Sequence, residues 1–139
     1  MNVAFHVTDQ HDGYVEALGR ALSEYNSGEV GSSHKQNLAV LAKDDNKLLI
    51  AGLSGYSAWG WLYIRWLWVD HAFRGRKIAS TLLDRAEVEA RARGCIGAHI
   101  DTFNPKAMPT YERHGYQVFG ELPDFVAGRT RSFLQKRWG

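Results

Sequence analysis

Arg74, Gly75, Arg76 and Lys77 stand together in a chain of 139 residues whose formal net charge is only +2. Three cations around one glycine suit an anion, and the glycine lets the backbone approach it closely. A helical period begins at once with Ile78 and Ala79. The unpaired N–H groups and positive end of that helix therefore face the same place, which suits phosphate. A solvated helix start with incidental basic residues is the alternative. A P-loop is excluded, because no Gly-Lys-Ser/Thr follows a four-residue gap. Tyr111 is the second chemical candidate, as a phenol that can donate a proton from a buried site. A core aromatic on a short helix is its alternative.

Other titratable side chains are less sharply defined. Asp70, Asp101 and Glu24 could each serve as a proton-accepting base, and their spacing does not separate them. His71, His99 and His114 lack metal-ligand spacing, and His114 suits a helix end; no metal is expected. Cys95 is the single cysteine, so no internal disulfide can form and a reducing, cytoplasmic compartment is expected. It falls in a predicted buried strand, where a thiol is a small hydrophobe rather than a nucleophile. Trp59, Trp61, Trp66 and Trp68, with Tyr63, could line an acceptor pocket or pack a sheet face.

These residues need elements to position them. Residues 2–7 alternate as a first strand, and Tyr14, Leu18, Ala21, Leu22 and Tyr25 follow helical spacing, closed by Gly28 and Gly31. Strands are predicted over 38–43 and 47–57 around the turn Asp44-Asp45-Asn46, then over 59–69. In that last strand Leu62 and Ile64 are even-numbered, whereas Leu67 and Val69 are odd. If both pairs face one core, a β-bulge near Arg65-Trp66 must absorb the extra residue, splaying the strand from its neighbour and freeing main-chain groups. A fully buried strand without phase is the alternative.

A helix over 76–93 buries Ile78, Leu82, Leu83, Ala86 and Ala90, and turns Asp84, Arg85, Glu87, Arg91 and Arg93 to water. Gly94 ends it. A strand over 95–102 follows, making a crossover with 59–69 that requires those two strands to run parallel. A short helix ending at Gly115 and strands over 116–122 and 130–137 complete a mixed α/β sheet. No linker, repeat or biased tract divides the chain, so residues 1–139 are expected to form a single domain. No signal peptide or membrane span is visible, and the charge is too small to imply nucleic acid.

The segment Arg74 to Ala79 resembles motif A of the GNAT acetyltransferases, Arg/Gln-x-x-Gly-x-Gly/Ala. Lys77 stands where the central glycine usually sits, and its ammonium can pair with phosphate. Asn104, Ala107, Tyr111, Gly115 and Tyr116 are similar to the family's later pattern, Asn-x-x-Ala-x-x-x-Tyr-x-x-x-Gly-Phe/Tyr. The likeness covers roughly residues 37–137. Leu62-x-Ile64-x-x-Leu67-Trp68-Val69, Asp101-Thr102-Phe103, Tyr111-Glu112-x-x-Gly115-Tyr116 and Lys136 are similar to a bacterial subgroup of small members.

The resemblance implies the GNAT fold, a mixed and mostly antiparallel sheet flanked by helices. It implies acetyl-CoA as co-substrate, held by Leu67, Trp68, Val69, Arg74, Gly75, Arg76, Lys77, Ile78 and Ala79, with Asn104 contacting it. It places Tyr111 near the sulfur as proton donor. The expected reaction is direct acetyl transfer from acetyl-CoA to a primary amine of an unidentified acceptor. Main-chain N–H groups near Trp68 and Val69 would stabilise the oxyanion. The alternative is a non-catalytic acyl-CoA-binding or regulatory module, favoured by Lys77 and opposed by Tyr111 and Asn104. The final strand is available to pair in a homodimer.

Overall fold

Asp12 starts the first helix by accepting the N–H of Tyr14 at 2.9 Å, and Gly31, at φ 87°, ends it. In the computed structural model, which describes residues 1–139, this helix α1 spans Gly13–Val30. Residues 1–33 form one compact unit and residues 34–139 another. The predicted strand over 2–7 does not form: no regular element precedes α1. Alternation alone does not make a strand, since its N–H and C=O groups need a partner ladder.

The second unit is a six-stranded sheet with two helices. Its strands are β1 (Gln36–Lys43), β2 (Leu49–Ala58), β3 (Trp61–Val69), β4 (Gly97–Thr102), β5 (Gln117–Val126) and β6 (Arg129–Arg137). Their order is β1-β2-β3-β4-β6-β5, and only β3 and β4 run parallel. Asp44 forms the β1–β2 turn by accepting the N–H groups of Asn46 and Leu48, each at 2.9 Å. Helix α2 (Ile78–Ala92) supplies the crossover between β3 and β4, and α3 (Met108–Arg113) joins β4 to β5.

One apolar core holds this unit together. Leu53, Leu62, Ile64, Ala98, Ile100 and Leu134 come from the sheet, and Leu82, Leu83, Ala86 and Ala90 from α2. Each fully buried Leu or Ile contributes about 1.5–3 kcal/mol. Core residues occupy even positions of β3 up to Ile64 and of β4, so Tyr63, His99 and Asp101 project from the opposite face.

Glu87 corrects the predicted polar face of α2. It is buried, accepting Tyr116 Oη at 2.9 Å and Lys136 Nζ at 2.7 Å. Its position four residues after Leu83 and three before Ala90 places it on the buried stripe. His114 adds Nε2 at 3.0 Å from Asp84, so it tethers α3 to α2 rather than capping alone.

Candidate functional site

The parallel pairing of β3 with β4 runs from Trp61 opposite Gly97 to Ile64 opposite Ile100, and there it stops. β3 then continues on β2 alone and β4 on β6 alone, so the sheet opens between them. The bulge expected near Arg65 is the cause. Ser54 faces Trp66 and Gly55 faces Ile64, which leaves Arg65 as the extra residue. Only glycine fits at 55, because a Cβ there would collide with the Tyr63 carbonyl oxygen.

The bulge also reverses which side chains face the core. Leu67 and Val69 pack against it, whereas Trp66 and Trp68 are exposed. The main chain alternates in step. The N–H of Asp70 donates to Ile50 on β2 at 2.7 Å, so Trp68 and Trp66 turn their main-chain groups toward β2 as well. Leu67 and Val69 turn theirs to the open side. Of these, the Val69 carbonyl accepts Arg74 Nε at 3.1 Å. The Leu67 N–H and C=O and the Val69 N–H are then left for a ligand.

A cleft of about 550 Å³ occupies the opening. Trp66, Leu67 and Trp68 wall one side, and Ile100, Asp101 and Asn104 the other. Tyr111 reaches it from the core face of the sheet. Its ring is buried against Tyr116, with centroids 6.3 Å apart. Its hydroxyl bonds to nothing in the chain, yet no buried side-chain oxygen is left without a partner. The hydroxyl therefore opens into the cleft. Burial, then the negative charge of Asp101, pushes its pKa up to about 12, so the phenol stays protonated. Asn104 accepts the N–H of Lys106 at 3.0 Å through Oδ1, which leaves its amide N–H₂ to the cleft.

Below the cleft, Arg74 to Ala79 forms a turn into α2. Lys77 sits at φ 59°, in the left-handed region usually reserved for glycine, and Gly75 at φ 82°. No side chain caps α2. Its first intrahelical bond is Thr81 N–H to Lys77 C=O at 3.1 Å, so the N–H groups of Ile78, Ala79 and Ser80 lack helical partners. With Arg74, Arg76 and Lys77 nearby, that end can hold a pyrophosphate.

The three candidate bases part company here. The Asp70 carboxylate is taken up by the N–H of Ala72 at 3.0 Å, while Glu24 lies on α1. Asp101 lines the cleft, with Tyr63 Oη at 3.4 Å from one oxygen. Arg131 Nε and Nη2 contact its other oxygen at 3.0 and 2.7 Å. Arg131 was missed in the sequence, where nothing local links it to β4. His99 stacks on Tyr63 at 4.9 Å, and burial lowers its pKa, which favours neutral imidazole. His71 lies in a short 3₁₀ turn after β3. Cys95 is buried, and that burial pushes its thiol pKa up.

Known proteins share this architecture. The model of the Acetyltransferase (GNAT) family matches residues 5–116. Acetyltransferase Atu2258 of Agrobacterium fabrum is 42% identical over 96% of this chain and 98% of its own length. Blasticidin-S acetyltransferase of Streptomyces morookaense is 40% identical over 70% of this chain and 73% of its own. A crystal structure of an Agrobacterium tumefaciens protein superposes with a TM-score of 0.91 at 42% identity, covering 98% of this chain and 100% of that one.

Proposed function

The chain belongs to the GNAT acetyltransferase family, and on that premise we propose that it moves an acetyl group from acetyl-CoA directly to a primary amine. The observation that carries this proposal is the opening between β3 and β4, with unpaired main chain on one wall and a protonated phenol reaching in from the core face. Acetyl-CoA fits the residues present. Ile78 to Ser80 offer amides to its pyrophosphate, and Arg74, Arg76 and Lys77 offer charge. Leu67 offers an N–H and a C=O to its amide-bearing arm.

The oxyanion and the departing thiolate then each have a group to meet them. The Val69 N–H would meet charge developing on the thioester oxygen. The Tyr111 hydroxyl donates toward the departing sulfur. Asn104 supplies an amide donor on the β4 side. No covalent enzyme intermediate is required, so holding amine and thioester together supplies much of the rate. The left-handed backbone at Lys77 keeps the conformation a glycine would have, so this departure from the motif does not weigh against CoA binding. Acceptor-dependent thiol release from acetyl-CoA, screened over a panel of amines, is the test. Tight CoA binding with no release for any amine would make the protein a binding module.

A further inference from the structure

Arg131 is firmly fixed, yet it has no assigned role in holding acetyl-CoA. Its guanidinium lies 5.1 Å from the Phe125 ring centroid and 5.5 Å from that of Phe133. Nε and Nη2 both meet one oxygen of Asp101, which leaves Nη1 unbonded. A guanidinium held this way has lost its rotamer freedom before any ligand arrives, so little entropy remains to be lost on binding. One edge still offers donors.

Placement tells what those donors face. Arg131 and Asp101 line the same cleft as Tyr111, but Asp101 projects from the face opposite the core. The opening therefore joins two approaches, with the phenol on the core face and the Arg131–Asp101 pair on the other. The charged side chains lining it are Arg65, Arg131 and Asp101, an excess of positive charge. Arg65 is itself stacked on Trp66, 4.0 Å from the ring centroid. Exposed indoles of Trp66 and Trp68 supply apolar surface nearby.

We propose that Arg131, held by Asp101, determines acceptor specificity by binding the carboxylate of an α-amino acid with an apolar or aromatic side chain. Its second donor edge takes the carboxylate, and the α-amine is then held at the opening. The amine lone pair forms the new C–N bond as the C–S bond of the thioester breaks. The nitrogen gives up one proton and the departing thiolate takes one. Arg131 binds and positions the acceptor without touching the reacting atoms. The assignment rests on the amine-acetylation proposal for its chemistry, though not for its binding.

Two measurements separate the two. Calorimetry with CoA present compares phenylalanine, methionine and leucine with their methyl esters, which keep the amine and lose the carboxylate charge. The free acids should bind roughly 10- to 150-fold tighter than the esters, the span of a lost charge-assisted bond. Arg131→Gln should abolish that difference while CoA affinity stays near wild type, although the unfolding midpoint should fall because the Asp101 side chain, 19% exposed, loses its ion pair. Arg131→Lys, which keeps charge without the fork, should restore part of it. With acetyl-CoA, the difference should appear in KM rather than kcat. Esters binding or reacting as well as acids would overturn the carboxylate assignment, as would equal losses for both in Arg131→Gln. Free acids that bind selectively but are never acetylated would keep it and sink the proposed reaction.

Discussion

Replacing Tyr111 by Phe removes one oxygen that bonds to nothing in the chain, so it isolates chemistry from packing. At neutral pH stability should shift by about 0.5 kcal/mol or less, because no partner is left unpaired. The catalytic effect follows from acidity. Tyr111 holds its proton up to about 12, whereas an ordinary thiol releases one near about 8.5. Complete transfer from phenol to thiolate is therefore uphill by roughly 5 kcal/mol. In the proposed reaction Tyr111 would therefore act mainly as a hydrogen-bond donor while solvent completes the protonation. A bond to a charged acceptor contributes about 1.5–3 kcal/mol, so kcat should fall roughly 10- to 150-fold. Acetyl-CoA affinity should hardly change, because the bond strengthens only as charge builds on sulfur. Single-turnover thiol release at saturating acetyl-CoA and amine is the assay. Stability gives a second signature. The folded pKa is raised, so its contribution is complete below about pH 10 and lost between about 10 and 12. Wild type should lose about 2–3 kcal/mol across that window from this phenol, and Tyr111→Phe should be spared that share. Full single-turnover rate in Tyr111→Phe would refute the role and leave a packing residue.

Gly55→Ala forces a Cβ into the Tyr63 carbonyl and should cost about 3 kcal/mol or more by urea titration. An unchanged midpoint would mean that the bulge is not fixed as described. Glu87→Gln leaves Lys136, with its side chain 21% exposed, facing an uncharged partner, and should cost about 2–3 kcal/mol by the same measurement. Lys77→Gly relieves a left-handed residue but loosens the unfolded chain, so stability should rise by about 1 kcal/mol or less. CoA affinity in that variant should fall about tenfold or less through the lost cation; tighter binding would show that Lys77 obstructs the turn.

Local pattern carried much of the candidate site's framework into view. The switch from even Leu62 and Ile64 to odd Leu67 and Val69 located the bulge, because the core enforces one face whatever the register. The start of α2 was legible because an uncapped helix with flanking cations is a local feature. What depends on distant strands was not. Residues 2–7 alternate like a strand but find no ladder. Glu87 read as solvent-facing because its partners, Tyr116 and Lys136, arrive 29 and 49 positions later. Arg131 acquires meaning only when β6 is laid beside β4 and β5 supplies Phe125. Trp66 and Trp68 could not be assigned to core or cleft until the bulge fixed their side of the sheet.

A strand with a residue to spare behaves like a text read in two frames. Up to Ile64 the even positions of β3 spell the core, and after Arg65 the odd ones do. Excising Arg65 would restore one frame, with Leu62, Ile64, Leu67 and Val69 all on the core side. Keeping the first half in place would push both the Leu67 and Val69 side chains inward without a bulge, so the core would accept the shortened strand. What would vanish is the reason for the strand to leave β4, and the sheet could zip shut past Ile64. The opening is thus encoded by the length of β3 as much as by any side chain within it. Removing one residue from β3 would thus act on the cleft before it acted on the core.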